Sequence, residues 1–411
     1  MNIAYLTQSF PPMVSGAALV AENLAQEMAM RGHKVLVIAA SERGRGYMTI
    51  DNGLTVLRLP SIHNPMRVGQ RFLLYPRRMI LRSLCNFQPN IIHSHEPLQM
   101  GLLGLEYSRR AGIPALLSIH QLPGFVGTYL PKTLGIRRAA EISLWAYARW
   151  LLRQFTTLIT PTQTVADIIH TMTRVQSQMI SYGIDLQTFH PHPSPDEKTA
   201  IRIRLHLPLT APVILHVGRL DTDKGVERVI LAAEKCMQEI GAHLLIVGDG
   251  RQKSALMELC KSKGITSRCH FTGFVSVKQG LPEIYRSADL FVTASEIETQ
   301  GIVLLEAAAS GLPIVAVRAT CIPEIVHNGV SGYLTEPGDT NALGQAITTL
   351  LKQPQKAGIM GKESYRLARK HSISTTLERY EQLYSDLVIE KELPQIKTPG
   401  YLERAREWMK L

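Results

Sequence analysis

VILHVGRLDTDKG, residues 213–225, runs from an apolar stretch through a glycine into a turn that carries two cations. Val213 to Val217 has the length and β-branched content of a buried strand. Gly218 ends it, and Lys224-Gly225 closes a short turn before a helix-length segment. A strand that passes through a glycine turn into a helix is the repeating unit of a doubly wound parallel sheet, whose ligands sit beyond the carboxyl ends of the strands. Arg219 and Lys224 therefore share one rim. Two fixed cations there suit a diphosphate, since a close charge pair contributes about 4 kcal/mol at an effective dielectric of 20. A surface salt-bridge loop with Asp221 and Asp223 is the plainer alternative.

The same pattern extends outward. On the C-terminal side, Leu244–Val247, His270–Thr272, Leu290–Val292 and Pro313–Ala316 read as strands separated by helix-length segments. On the N-terminal side Ile3–Thr7 reads as a strand, Ala17–Arg31 as an amphipathic helix and Lys34–Ala39 as the next strand; Ile91–Ser94, Ala115–Ile119 and Leu158–Thr160 continue the series. The polar, proline-rich HPHPSP (190–195) interrupts the pattern and reads as a linker. The chain is expected to be α/β, with two Rossmann-like domains facing across a cleft.

At 411 residues, 45% hydrophobic and 19% charged, the chain has room for two cores. No signal peptide or membrane-spanning run is evident, so a cytoplasmic location is expected. The five cysteines follow no zinc or CxxC spacing, and neither disulfides nor zinc are expected. The net charge of +11 is uneven, with 18 basic against 9 acidic side chains in residues 1–190 and 27 against 25 in the remainder. A basic half can meet a phosphate-rich surface, or it can simply be solvated.

ETQGIVLLEAAASGLPIVA (298–316) places two glutamates at the start of an apolar helix. With Gly301 beginning that helix, the amides of Thr299, Gln300, Gly301 and Ile302 are donors for an anion. Glu306 lies about 7.5 Å farther along the axis at 1.5 Å per residue, where it can accept from a ribose diol; Glu298, outside the helix, can hold sugar hydroxyls. A carboxylate capping network is the alternative.

Taken together, GRLDTDKG (218–225), LLIVGDG (244–250), FTGFV (271–275), YRSADLFVTAS (285–295), ETQGIVLLE (298–306) and IPEIVHNGVSGYLTEPGD (322–339) resemble the GT-B glycosyltransferases of the large retaining family 4. The resemblance implies an N-terminal acceptor domain over 1–190, completed by C-terminal helices in 375–411, and a nucleotide-sugar domain over 196–374. It implies that Arg219 and Lys224 bind the donor diphosphate, Glu306 the ribose and Glu298 the transferred sugar, with Phe274 and Val275 bordering the nucleobase. PPMVSGA (11–17) looks like the loop that covers the phosphates, with Gly16 close to the ligand, and His120 falls where the family places a histidine beside the sugar. Ser15-Gly16 and Thr320-Cys321 stand where many members have Gly-Gly, and SYGID (181–185) where many have PNGVD.

No acidic DxD-type cluster stands on a fitting loop, so neither metal nor other cofactor is expected; His93 and His95 raise a metal only weakly, having no third ligand. Arg67, Arg71, Arg77, Arg78 and Arg82 interleave with Phe72, Leu73, Leu74, Tyr75, Met79 and Ile80, which suits an anionic bilayer or, alternatively, a helix packed on its own domain. Ile142, Trp145, Ala148, Leu152 and Phe155 are expected to face a core, as are Leu402, Ala405 and Trp408 of the tail. ETQG, in place of E-x-F-G, together with HQLPGFVGTYLP (120–131), is similar to bacterial synthases that glucosylate diacylglycerol. The expected partners are therefore a nucleotide sugar such as UDP-glucose, a lipid acceptor such as diacylglycerol and the inner face of the cell membrane, with no nucleic acid. Mannosyl transfer from GDP-mannose to phosphatidylinositol, transfer to a polysaccharide or lipopolysaccharide precursor, a UDP-sugar epimerase and a silent lipid-binding protein are the alternatives.

Overall fold

The computed structural model describes residues 1–13, 15–51, 53–64, 71–123, 134–191 and 194–392, with backbone only for 134–137 and 391–392. Its first half carries strands β1 (Asn2–Leu6), β2 (Lys34–Ala40), β3 (Tyr47–Asp51), β4 (Leu54–Leu59), β5 (Ser61–His63), β6 (Arg71–Leu73), β7 (Ile91–Ser94), β8 (Ala115–Ser118), β9 (Thr157–Thr160) and β10 (Gln178–Met179). Eight of these form one sheet in the order β10-β9-β8-β7-β1-β2-β4-β3. All its neighbours run parallel except β3, which pairs antiparallel with β4, while β5 and β6 form a separate antiparallel pair. Strands β11 (Val213–Val217), β12 (His243–Val247), β13 (Cys269–Gly273), β14 (Leu290–Thr293), β15 (Ile314–Val317) and β16 (Gly332–Thr335) make a second, wholly parallel sheet in the order β13-β12-β11-β14-β15-β16.

The helices are α1 (Gly16–Met30), α2 (Arg77–Phe87), α3 (Gln99–Ala111), α4 (Leu134–Leu152), α5 (Gln163–Thr173), α6 (Pro195–Arg204), α7 (Val226–Ile240), α8 (Lys253–Ser262), α9 (Leu281–Ser287), α10 (Ile302–Ala309), α11 (Ile322–Ile325), α12 (Thr340–Lys352), α13 (Pro354–Ala368) and α14 (Ile373–Glu392). Alternation along β1 shows how the first sheet is covered on both faces. Ile3 and Tyr5 pack with Leu24 of α1 and with Leu377, Tyr380 and Tyr384 of α14. Ala4 and Leu6 turn the other way, toward Ile80 and Leu84 of α2 and Leu103 of α3. The chain thus finishes its second sheet and returns to cover the first. The second sheet has one continuous core, with β11 buried along its whole length.

Val213–Val217 and Ile91–Ser94 are strands with the expected bounds, and the other expected strands differ by one or two residues at their ends. Strands β3, β4, β5, β6, β10 and β16 were not anticipated. β3 is an edge strand with a largely exposed sequence, YMTID, and so lacks the apolar run that marks a parallel central strand. In HPHPSP the polar serine has a local task, as Ser194 caps α6 by accepting from the Glu197 amide at 3.3 Å. Trp145, Ala148, Leu152 and Phe155 are buried as expected, but Ile142 is 63% exposed and belongs to the outer face of α4. The tail residues Leu402, Ala405 and Trp408 lie outside the described residues.

Candidate active site

Two glycines set the rim at the carboxyl end of the second sheet. Gly248 has φ +140°, and a Cβ there would lie 1.8 Å from the Gly218 carbonyl oxygen, so the loops after β11 and β12 touch backbone to backbone. Gly225 has φ +62°, and its Cβ would meet the Ala294 carbonyl oxygen at 2.5 Å. The turn before α7 therefore rests on the end of β14 and delivers Lys224 to Glu298, with Nζ and Oε1 2.6 Å apart and both side chains mostly buried. Arg219 pairs with Asp221 and, at 2.7 Å, with Asp223. The two cations share the rim, and the chain's own carboxylates hold them there.

Helix α10 starts at the same rim. Its N-cap is Gly301, with φ +71° and no side-chain cap, so the first amides keep their donor capacity and the positive end of the helix dipole. Gly16, at the start of α1, lies against Ile302, where an added Cβ would sit 3.5 Å from Cδ1. The amino ends of α1 and α10 are thus brought together across the cleft. Glu306 is buried one turn farther on. Its Oε2 accepts from the Tyr285 hydroxyl at 2.7 Å, while desolvation pushes its carboxyl up to about 7. Phe274 is exposed and Val275 half-buried, both just beyond β13. His216 of β11, which sequence reasoning passed over, is buried beneath this rim. Its Nδ1 lies 3.0 Å from the Val292 carbonyl, and burial lowers it to about 4.

The side chains of Thr299 and Gln300 turn toward the other sheet. Thr299 Oγ1 donates to the His120 carbonyl at 3.1 Å, and its own carbonyl accepts from Thr162 Oγ1 at 2.9 Å. Gln300 is fully buried; its Oε1 accepts from the Tyr182 amide at 2.7 Å and its Nε2 donates to Ser181 Oγ. Glu324 of α11 caps α5, accepting from the Gln163 and Thr164 amides at 3.0 and 2.7 Å. These three residues join the two halves. The helix-capping alternative thus applies to Glu324, whereas Glu298 and Glu306 take a lysine and a tyrosine.

The rim of the first sheet is lined by uncharged rings. His93 bonds through Nδ1 to the Tyr384 hydroxyl and through Nε2 to the Ser118 hydroxyl, each at 2.7 Å. His95 stacks on His93 and reaches His120 Nε2 with Nδ1 at 2.9 Å. Burial is the main cause that holds His93 near 3 and His120 near 4, and lowers His95 as well. With both ring nitrogens of His93 committed to hydroxyls, the suggested histidine metal pair is corrected to a hydrogen-bonded stack. Among the described residues no group of three or more His, Cys, Asp or Glu is placed to hold a metal ion.

The basic segment divides in two. Arg71 is tied to Ser61 and Arg77 to Glu106, with Ile80 and Leu84 buried beneath α2, so these arginines belong to a helix and hairpin packed on their own domain. Arg78 and Arg82 remain exposed beside Phe72, Leu74, Tyr75 and Met79, and Arg67 lies outside the described residues, as does most of HQLPGFVGTYLP. None of the helices among the described residues is long and apolar enough to cross a membrane.

Comparison with known proteins defines the class first. The sucrose-phosphate synthase of Thermosynechococcus elongatus superposes with a TM-score of 0.80 at 21% identity, over 95% of this chain and 99% of that one. An Anabaena protein solved with UDP-glucose, HepE, superposes with a TM-score of 0.74 at 20% identity over 94% and 100%. The fold is GT-B, as expected. Residues 14–188 match the family described as Glycosyltransferase Family 4, and residues 197–367 match Glycosyl transferases group 1. The GDP-mannose-dependent alpha-mannosyltransferase of Mycolicibacterium smegmatis is 30% identical over 89% of this chain and 92% of its own length. The sulfoquinovosyl transferase of Arabidopsis thaliana is 29% identical over 90% and 70%, and the alpha-monoglucosyldiacylglycerol synthase of Streptococcus pneumoniae is 26% identical over 86% and 79%. The chain belongs to glycosyltransferase family 4 and resembles the enzymes that glycosylate diacylglycerol.

Proposed function

We propose that this glycosyltransferase moves glucose from UDP-glucose to the free hydroxyl of 1,2-diacylglycerol at the cytoplasmic face of a membrane, with retention at the anomeric carbon. The observation that carries the site assignment is the Lys224–Glu298 pair, set beside Arg219 and the uncapped start of α10. An arriving diphosphate offers Lys224 and Arg219 a stronger partner and leaves Glu298 available to sugar hydroxyls. Glu306 holds the ribose, Phe274 and Val275 border the base, and Gly16 with the amides of Thr299, Gln300, Gly301 and Ile302 surrounds the phosphates.

In the transfer step the acceptor oxygen bonds to the anomeric carbon on the face from which the phosphate departs. The bond from that carbon to the phosphate oxygen breaks, and the acceptor proton passes to the departing phosphate. The charge that builds on the diphosphate is met by Arg219, Lys224 and the α10 amides, and no metal ion is needed. His120 stands beside the sugar. Exposed Arg78 and Arg82, with Phe72, Leu74, Tyr75 and Met79 around them, provide cations and apolar side chains for an anionic bilayer.

Labelled UDP-glucose incubated with diacylglycerol vesicles and a chelator should yield glycolipid and UDP. Interconverted free sugar nucleotide would replace this reading with an epimerase, and vesicle binding without turnover with a silent binder. The mannosyltransferase relatives, up to 30% identical, favour GDP-mannose as the second donor to try, with phosphatidylinositol as acceptor.

A further inference from the structure

His120 sits in a chain of hydrogen bonds whose proton positions follow from one end. The Ile119 carbonyl can only accept, and the Tyr182 hydroxyl lies 3.3 Å from it. With its proton given there, the Tyr182 oxygen is left to accept from His120 Nδ1 at 2.9 Å. His120 Nε2 is then a lone pair, which accepts from His95 Nδ1 at 2.9 Å. His95 Nε2 ends the chain as another lone pair, and it is the ring nitrogen in the series with no partner among the described residues. An unpaired acceptor closes the scheme without leaving any N–H unsatisfied. The reverse order would strand a buried N–H donor at His95.

The fixed end is held from across the cleft. Gln300, immediately before the N-cap of α10, takes the Tyr182 amide on Oε1 and gives Nε2 to Ser181, while Thr299 holds the His120 carbonyl. The helix start assigned to the diphosphate and the imidazole assigned to the sugar are therefore connected through the Gln300 side chain, which holds the Tyr182 backbone, and the Tyr182 hydroxyl, which meets the ring.

We propose that Tyr182 and Gln300 are positioning residues for the transfer, locking His120 as the neutral tautomer protonated on Nδ1 and fixing its place relative to α10. The proposal rests on the reading of His120 as the residue beside the sugar. Tyr182→Phe removes the acceptor for the Nδ1 proton and leaves the ring free to exchange tautomers. Gln300→Met keeps the bulk and removes both bonds.

The test is a long-range proton–nitrogen spectrum of the full-length protein labelled with 15N-histidine, with the His120 signals identified by their loss in His120→Ala, alongside steady-state kinetics. The wild-type His120 should show a protonated Nδ1 and a bare Nε2. Tyr182→Phe should move protons to Nε2 and lower kcat roughly tenfold or more, with KM for UDP-glucose within about twofold, as a misplaced group does. An unchanged tautomer with unchanged kcat would overturn the proposal. Should the phenylalanine variant fail to show a folded spectrum, Gln300→Met decides by the same two readouts. Wild-type turnover in His120→Ala would overturn the placement of His120 beside the sugar and leave the spectrum to judge the lock alone.

Discussion

The two rims of the cleft are built from opposite materials. The first-sheet rim consists of neutral rings and hydroxyls, His93, His95, His120, Tyr182 and Tyr384, linked by hydrogen bonds that leave the His95 Nε2 lone pair open. The second-sheet rim consists of charges, Arg219, Lys224, Asp221, Asp223 and Glu298, paired in the absence of a ligand. A rim of neutral groups can orient a hydroxyl without desolvating a charge. A rim of paired charges can change partners, so the same lysine that neutralises Glu298 can turn to a phosphate. The halves of the proposed transfer, an uncharged acceptor and an anionic leaving group, map onto that difference.

The comparison is easiest to break on the charged side. Lys224→Ala should lower kcat/KM about a thousandfold, comparable with losing a charge that acts on the departing diphosphate, while vesicle binding stays unchanged in a flotation assay. Retention of activity within tenfold would remove the assignment.

Glu306→Gln should cost roughly a hundredfold in kcat/KM for the donor, since an amide oxygen replaces a carboxylate facing a diol. The pH profile sharpens this. With its carboxyl near 7, wild-type Glu306 is protonated below that pH, so donor kcat/KM should fall with acid there and the glutamine variant should lack that limb. Stability has the opposite sign: the native state keeps a proton that the unfolded chain releases above its ordinary 4.5, so the wild type loses stability as pH rises from about 4.5 to 7. Denaturant melts at several pH values should show this slope in the wild type and its absence in Glu306→Gln.

On the domain that carries the neutral rim, replacing both Arg78 and Arg82 by alanine should weaken binding to vesicles containing phosphatidylserine by about thirtyfold, at about 1 kcal/mol per basic residue, with turnover of a detergent-dispersed acceptor unchanged. Equal binding to anionic and neutral vesicles by the wild type would contradict a membrane face there. The smallest effect is expected at the junction. Glu324→Ala removes the acceptor of the Gln163 and Thr164 amides at the start of α5 and should cost about 1 kcal/mol of stability, read as a fall of a few degrees in Tm.

Much of this architecture was legible in the sequence because buried parallel strands leave continuous apolar runs, as in Val213–Val217 and Ile91–Ser94. Where a strand lies at an exposed edge, as Tyr47–Asp51 does, that run is absent and the strand went unread. The positions of Arg219, Lys224, Glu298 and Glu306 followed from strand ends and helix spacing. The local partners of Arg219, Asp221 and Asp223, were also legible, but those of Glu306 and Lys224 were not, because Tyr285 reaches Glu306 from another helix and Lys224 meets Glu298 over 74 positions of chain. Gln300 illustrates the limit most clearly. Its backbone position marks the helix start, but its side chain serves Tyr182, 118 residues away, and no local pattern encodes that.

A crystal structure with bound UDP tests the central claim most directly. The account predicts Lys224 Nζ drawn away from Glu298 onto the diphosphate, with the amides at the start of α10 donating to the same phosphates. A nucleotide bound elsewhere, with the 2.6 Å Lys224–Glu298 pair intact, would contradict it.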